Sequence, residues 1–322
     1  MNVTEFMGLD EASHLAILGI ISILIILSNI FCLIVLQRAT SGIKTATRIF
    51  LVSLSLADLG IGVLAIPFKM LIIVVEDETL RQRLCEADIF VHGTFVLASL
   101  ESVIGITIER YLAIELPFWH RSNVTTRRVY ITTAWLWLTS LAPAIYGGVI
   151  AVNGAFYVDD HGWCTYNPAF GSTFIIWIDI VIYIALPFAL ISFIYVRIVI
   201  LVRRHLARRA NNDKGNNLSM EDRIRRRSVK LRKAANIARN RKSLDTFLLV
   251  FSTFMLIYLP TCVVSVLELT GTRVPTVIVD VSRFLFFCNG WVNNVVYAMR
   301  HNIFKNTAQS MVDDLRRCCS KI

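Results

Sequence analysis

The sequence predicts an all-α membrane protein: a bundle of seven transmembrane helices followed by a short C-terminal amphipathic helix on the bilayer surface. Three observations lead there. Hydrophobic residues make up 55% of the 322 and charged ones only 17%, with a mean hydropathy of +0.60. A water-soluble domain of this length needs more charge to cover its surface. Seven apolar runs, near 14–38, 47–75, 84–113, 129–152, 172–202, 245–268 and 277–299, are long enough to cross the hydrocarbon core, which takes about 20 residues of helix. Residues 203–243 carry fifteen Lys/Arg against three Asp/Glu, hence +12 in one loop of a chain whose net charge is +10.

Lipid leaves a backbone no hydrogen-bond partner but itself, so each run is expected to be a helix. Basic residues stay on the cytoplasmic side, which puts the 203–243 loop inside. The N-terminal segment 1–13 holds Glu5, Asp10 and Glu11 and no base, so it is expected outside. The chain then divides into a short extracellular N-terminus (1–13), a seven-span domain (14–299) and a cytoplasmic amphipathic helix with tail (300–322).

The first run follows no basic n-region and no small-residue cleavage site, so it reads as a span and not as a removable signal. Ahead of it, Asn2-Val3-Thr4 is a glycosylation sequon on the outer side; those at Asn123 and Asn217 face the cytosol. The second run carries Asp58 and Pro67. The third runs from Cys85 to Glu109-Arg110-Tyr111 and includes Ser99 and Glu101; Ser99 and Glu101 lie two residues apart and face different ways. Glu101 is therefore expected to point at a neighbouring helix and take a backbone or Ser/Thr partner there. The fourth carries Pro143, the fifth Pro187 and the sixth Pro260. Each proline removes a backbone hydrogen bond and bends its helix. The seventh is the most polar run, with Asp280, Arg283, Asn289, Asn293 and Asn294. His120 and His161 are read as loop residues without a role, and His92 as the only histidine inside a span.

The cysteines sort by compartment. Cys32, Cys262 and Cys288 lie in spans and read as small buried hydrophobes. Cys85 and Cys164 are the two on the oxidising outer side, where a disulfide would pin the loop after span four over the mouth of the bundle. Trp163, beside Cys164, is a candidate lid residue. Cys318 and Cys319 follow the amphipathic stretch "HNIFKNTAQSMVDDLRR" and are acylation candidates; the alternative is two free thiols. The basic loop serves topology and contact with anionic lipid. It lacks aromatic residues among its bases, which argues against nucleic acid.

Polar residues inside membrane helices are costly and are functional candidates. Asn289 and Asn293 share one helix face. With Asp58 and Ser99 they compose an all-oxygen nest that suits a sodium ion and waters. A protonated Asp58 in a hydrogen-bond network is the other reading.

In order and spacing, the motifs resemble those of the rhodopsin-like (class A) G-protein-coupled receptors. They are Asn29; "LSLAD" ending at Asp58; Cys85; Glu109-Arg110-Tyr111; Trp137, favoured over Trp135 by its interval from Arg110; Pro187 and Tyr195; Phe254 and Pro260; and Asn293 with Tyr297. "HNIFK" resembles the start of that family's surface helix. The resemblance implies a plasma-membrane receptor without enzymatic activity that binds an extracellular ligand in the bundle. It implies activation of a heterotrimeric G protein by outward movement of the sixth helix. Glu109, Arg110, Tyr111, Tyr195 and Tyr297 inherit the switch and coupling roles, and Pro187, Leu100, Phe254, Tyr258 and Pro260 the activation hinge. No cofactor is implied beyond an allosteric sodium ion at Asp58.

Departures from the family pattern matter. Asn294 stands where proline is usual, Tyr258 where tryptophan is, Leu100 where isoleucine is common, and Asn240 where some members carry an acid that clamps the Arg. Together they suggest a loosely latched resting state with basal signalling. For the ligand pocket, His92 lies 18 residues before Arg110, which is five turns and thus the same inward face. Amine receptors of this family put an aspartate there, and opsins a lysine where this chain has Phe287, so both subfamilies are disfavoured. Arg283, one turn further out, suits an anionic group; alternatively it pairs with Asp280 or Glu268. The competing function is a small helical transporter or channel, which kinked helices also fit. Such a protein often carries internal repeats, and the sequence has none. A membrane enzyme would need a nucleophile–base set or a metal cluster in the spans, and neither is present in the sequence.

Overall fold

The computed structural model describes residues 10–39, 43–150, 153–154, 156–159, 162–166, 181, 185–187, 189–194, 196–197, 199–200, 249, 252–268, 270, 272–300 and 302–319. Asn2, His161, Tyr195, Asn240 and the 203–243 loop lie outside the described residues, as do the side chains of Pro143, Cys318 and Cys319.

Helix α1 spans Glu11–Arg38. It buries His14, Leu18, Ile21, Ile25, Asn29, Cys32, Val35 and Leu36, residues three to four apart. Ile20, Ile23, Leu24, Leu27 and Ile30 are exposed on the other side. A helix apolar on every face belongs in lipid. The helix starts three residues before the apolar run, and its first backbone bond runs from His14 N to Asp10 O at 3.0 Å.

The second span is three segments in line: α2 (Thr45–Gly60), a π turn (Ile61–Ala65) and α3 (Ile66–Val74). Pro67 is the cause. It has no N–H for the carbonyl one turn back, and the wider turn absorbs the missing bond. The Gly62 carbonyl accepts instead from Ser22 Oγ at 2.8 Å. At Gly60 a Cβ would collide with the Phe95 ring, so the glycine permits the close approach of the third span.

Helix α4, Glu78–Glu115, has 38 residues and is about 57 Å long. Asp77 caps it by accepting from Leu80 N at 2.7 Å. It packs on α2, α3 and α6 (Thr126–Ile150). Where α2, α4 and α6 meet, Ser53 and Ser102 share a hydrogen bond of 2.9 Å and Trp137 Nε1 donates to Ser53 Oγ at 3.0 Å. Small hydroxyl residues let membrane helices approach and satisfy each other. Trp135 is 63% exposed. Glu101 accepts from Thr139 Oγ1 of α6 at 2.9 Å.

Two elements were not expected from sequence. Pro117–Asn123 forms a short helix, α5, between α4 and α6, opened by proline at its first position. Beyond α6, Phe156–Val158 (β1) and Cys164–Tyr166 (β2) pair antiparallel, Val158 opposite Cys164. Gly162 in the connection has φ +78°, and a Cβ there would lie 2.8 Å from Ile73. Cys85 and Cys164 are disulfide-bonded, with Cα atoms 5.6 Å apart, so the hairpin is fastened near the N-terminal end of α4.

In the fifth span, the described residues between 186 and 200 are helical and Pro187 is buried. Helix α7 (Ser252–Glu268) contains Pro260, and α8 (Thr276–Arg300) runs without a break through Asn294. Helix α9, Asn302–Cys319, lies against α1 and α8. Its Phe304 is buried beside Tyr297, ring centroids 6.2 Å apart, and its Asp314 meets Arg38 of α1 at 3.5 Å.

Candidate switch and ligand sites

At the C-terminal end of α4, Glu109 and Arg110 are 4% and 8% exposed. Arg110 Nε lies 2.9 Å from Glu109 Oε2. The same oxygen accepts from Thr47 Oγ1 of α2 at 3.1 Å, and Oε1 is 3.0 Å from His120 Nε2. The carboxylate therefore joins α2, α4 and α5. His120 is not a roleless loop residue: the short α5 helix carries it back one turn against Glu109. Lys44, just before α2, shares this edge, and burial together with the Arg110 guanidinium pushes its ammonium pKa down. Tyr111 is half-buried. Tyr297 is 1% exposed and lies in the inner core with Phe50, Ile106 and Phe304.

Midway along the bundle, Asp58 is wholly buried and its Oδ1 accepts from Ser99 Oγ at 2.8 Å. Asn289 and Asn293 are 4% and 1% exposed. Asp58 Oδ2, Asn289 Oδ1 and both the oxygen and the nitrogen of the Asn293 amide have no hydrogen-bond partner among the described residues. Buried oxygens left in this state call for water or a cation, and an oxygen-rich set suits a hard monovalent ion. Beside them the amide of Asn29 donates to Ile25 O at 2.9 Å and to Gly290 O at 2.8 Å, and its oxygen accepts from Asn294 Nδ2 at 2.8 Å.

Of the expected hinge, Leu100, Phe254 and Tyr258 form one cluster. The Phe254 and Tyr258 rings stack at 4.0 Å, and Phe286 of α8 adds to them at 4.5 Å. Pro187 is buried and Pro260 half-buried.

The half of the bundle beneath the hairpin is organised around Trp163, which is 2% exposed. Its indole donates to Asp280 Oδ1 at 3.0 Å and packs on Phe284 and Phe287. Asp280 Oδ2 meets His14 Nε2 at 3.2 Å, both groups buried. His14, the residue at which the first span was expected to begin, is thus a second histidine inside the bundle. Arg283 does not reach Asp280. Its partners are Glu268 at 3.5 Å and Asp159 at 3.6 Å, with the guanidinium 5.2 Å from the Trp163 ring. Lys69 and Asp88, which carried no assignment from sequence, form a buried ion pair at 2.6 Å. The signal was available, since each is a charge inside an apolar run. His92 stacks on Phe286 at 5.3 Å and meets Phe287 edge-on at 5.3 Å.

Arg283→Ala is expected to lower the melting temperature of the purified protein by about 3 °C, because two carboxylates lose their cation in a partly exposed setting. Thermal unfolding reads this directly. An unchanged melting temperature with a lost ligand response would make Arg283 a ligand contact instead.

Comparison with known proteins bears on the whole chain. Curated relatives include adenosine receptor A3 of Bos taurus, 23% identical over 306 residues, with 93% of this chain and 89% of the relative covered. The Ovis aries receptor of that name is 23% identical over 303 residues, covering 92% and 88%. That of Canis lupus familiaris is 23% identical over 318 residues, covering 93% and 90%. The sequence profile of the 7 transmembrane receptor (rhodopsin family), a receptor family and not an enzyme family, matches residues 28–297. With its motifs in family order and that match running from the first span to the last, the chain belongs to the rhodopsin-like (class A) G-protein-coupled receptors, multi-pass proteins of the plasma membrane.

Proposed function

We propose that this chain binds an extracellular ligand in the outer half of the bundle and activates heterotrimeric G proteins by outward movement of α7. The N-terminus is outside and α9 lies on the cytoplasmic face. The observation that carries this reading is the buried Glu109–Arg110 pair at 2.9 Å. A buried ion pair at the end of a helix is a two-state element. It is stable while neighbouring helices cover it, and its guanidinium becomes available to a partner protein when they part. Tyr195 and Tyr297 would stabilise the open form. Asp58, Ser99, Asn289 and Asn293 would hold a sodium ion in the closed form, where it supplies the positive charge that a buried carboxylate needs. Cys318 and Cys319 would carry acyl chains that press the end of α9 against the membrane.

The relatives above are named as adenosine receptors, so adenosine is the first agonist to try. The decisive test needs no agonist. Receptor in lipid nanodiscs, mixed with purified G protein, is expected to speed nucleotide exchange above protein-free nanodiscs. Basal activity of this kind fits the missing proline at Asn294 and the missing acid at Asn240. Exchange equal to the blank, both without ligand and across a broad agonist panel, would overturn the proposal.

A further inference from the structure

Among the described residues, the buried charges in the outer half of the bundle neutralise one another. Lys69 is matched by Asp88 at 2.6 Å, Arg283 by Glu268 and Asp159, and Asp280 by His14 and the Trp163 indole. A carboxylate ligand would have to displace a protein carboxylate from Lys69 or Arg283. An ammonium ligand would find Asp88 already matched. Separating a buried pair leaves an uncompensated charge, so both routes are disfavoured.

Uncharged hydrogen-bonding capacity remains. Asp88 Oδ1 is buried and has no hydrogen-bond partner among the described residues, and the same holds for His92 Nδ1. The two residues are four apart on α4, so they share a face and lie about 6 Å apart along the axis. Aromatic rings flank them. Phe286 lies nearly parallel to the imidazole at 22°, Phe287 stands edge-on to it at 88°, and Trp163 stacks on Phe287 at 6.4 Å. His92 and Phe286 are half-buried, so this wall is not sealed inside the core.

We propose that this site takes an uncharged, flat heteroaromatic ligand that directs an N–H or O–H donor at Asp88 Oδ1 and a second polar group at His92 Nδ1, one turn deeper. The inference rests on the proposed receptor function and names the ligand class of its outer site. A buried acceptor with nothing to accept strongly favours a ligand that fills it over an analogue that does not. The aromatic wall favours a flat ring.

Three probes share one ring and differ in charge: quinoline-3-carboxamide, quinoline-3-carboxylate and 3-(aminomethyl)quinoline, which is a cation at neutral pH. At saturation the carboxamide is expected to raise the melting temperature of the purified full-length receptor by about 5 °C, and the two ions to leave it unchanged. The carboxamide shift should vanish in His92→Phe, which keeps the stacking ring. It should also vanish in the double variant Lys69→Met with Asp88→Leu, which removes both charges together. If the double variant does not fold, His92→Phe alone decides. A larger shift from either ion, no shift from the carboxamide, or a full carboxamide shift in His92→Phe would overturn the proposal. Nucleotide exchange is measured on the same preparation. Absent exchange with an intact carboxamide shift would count against the G-protein role and leave the ligand class standing.

Discussion

Replacing Glu109 with glutamine is expected to raise agonist-independent nucleotide exchange about tenfold, and adding Arg110→Leu to return it to the blank. Glutamine keeps the size of the side chain and its hydrogen bond from Thr47, but it removes the counter-charge from a guanidinium that is 10% exposed. Breaking a fully buried pair costs about 3–5 kcal/mol. Residual exposure and neighbouring dipoles reduce that here to about 1–2 kcal/mol. The cost falls on the closed state alone, because in the open form Arg110 faces water or the G protein. Each 1.4 kcal/mol is about tenfold in an equilibrium constant, and an open state populated at a few per cent has room to grow by that factor. His120→Ala should give a smaller rise in the same direction, since it loosens the carboxylate at Oε1 without changing its charge. Exchange is read on purified G protein with receptor amounts matched by surface labelling. An unchanged rate in Glu109→Gln, or exchange that survives in the Arg110→Leu double variant, would remove Arg110 from the coupling mechanism.

The elements of this site were unevenly legible in the sequence, for physical reasons. Asp58, Asn289 and Asn293 stand out because a polar group in an apolar run is conspicuous, and helical period alone places both asparagines on one face. Arg110 and Glu109 stand out likewise at the end of such a run. Partners were harder. Thr47 and His120 approach Glu109 from other elements, and the seven residues of α5 are too short to show a period; Pro117 is the one local cue. Lys69 and Asp88 were visible as charges in spans but not as a pair, because their meeting depends on how α3 packs on α4. His14 and Asp280 lie at opposite ends of the chain and meet only because α1 and α8 are neighbours. Arg283 had two candidate partners in sequence, Asp280 and Glu268. It takes Glu268, while the hairpin supplies Asp159 and gives Asp280 to Trp163. The strands that do this are three residues long, too brief for alternation to register. The fold was legible because a lipid environment allows few solutions.

Asn29→Ala should destabilise the receptor more than Asn294→Ala, and Asn294→Pro should cost little more than Asn294→Ala. Asn29 donates to Gly290 O and accepts from Asn294 Nδ2, both at 2.8 Å, and so ties α1 to α8 in both directions. A Cβ at Gly290 would stand 3.1 Å from Ile25, so the helices are close where this clasp sits. Removing Asn29 leaves a buried amide donor and a buried carbonyl each short of a partner; Ser28 Oγ, at 3.4 Å, is a weak substitute. Orphaned groups cost about 1–3 kcal/mol in proteins generally, and side-chain bonds between membrane helices average nearer 0.6 kcal/mol. A fall of about 5 °C in melting temperature is therefore expected for Asn29→Ala, and about half that for Asn294→Ala. Proline at 294 also removes the backbone donor to the carbonyl four residues back, which is Gly290 O. That carbonyl is the one Asn29 already serves, so the lost bond has a replacement in place. The step from alanine to proline at 294 should therefore cost more in an Asn29→Ala background, which has none, than beside Asn29. An equal cost of that step in both backgrounds would show that Asn29 does not stand in for the lost backbone donor at Gly290 O, and that the absence of proline from this span has some other origin.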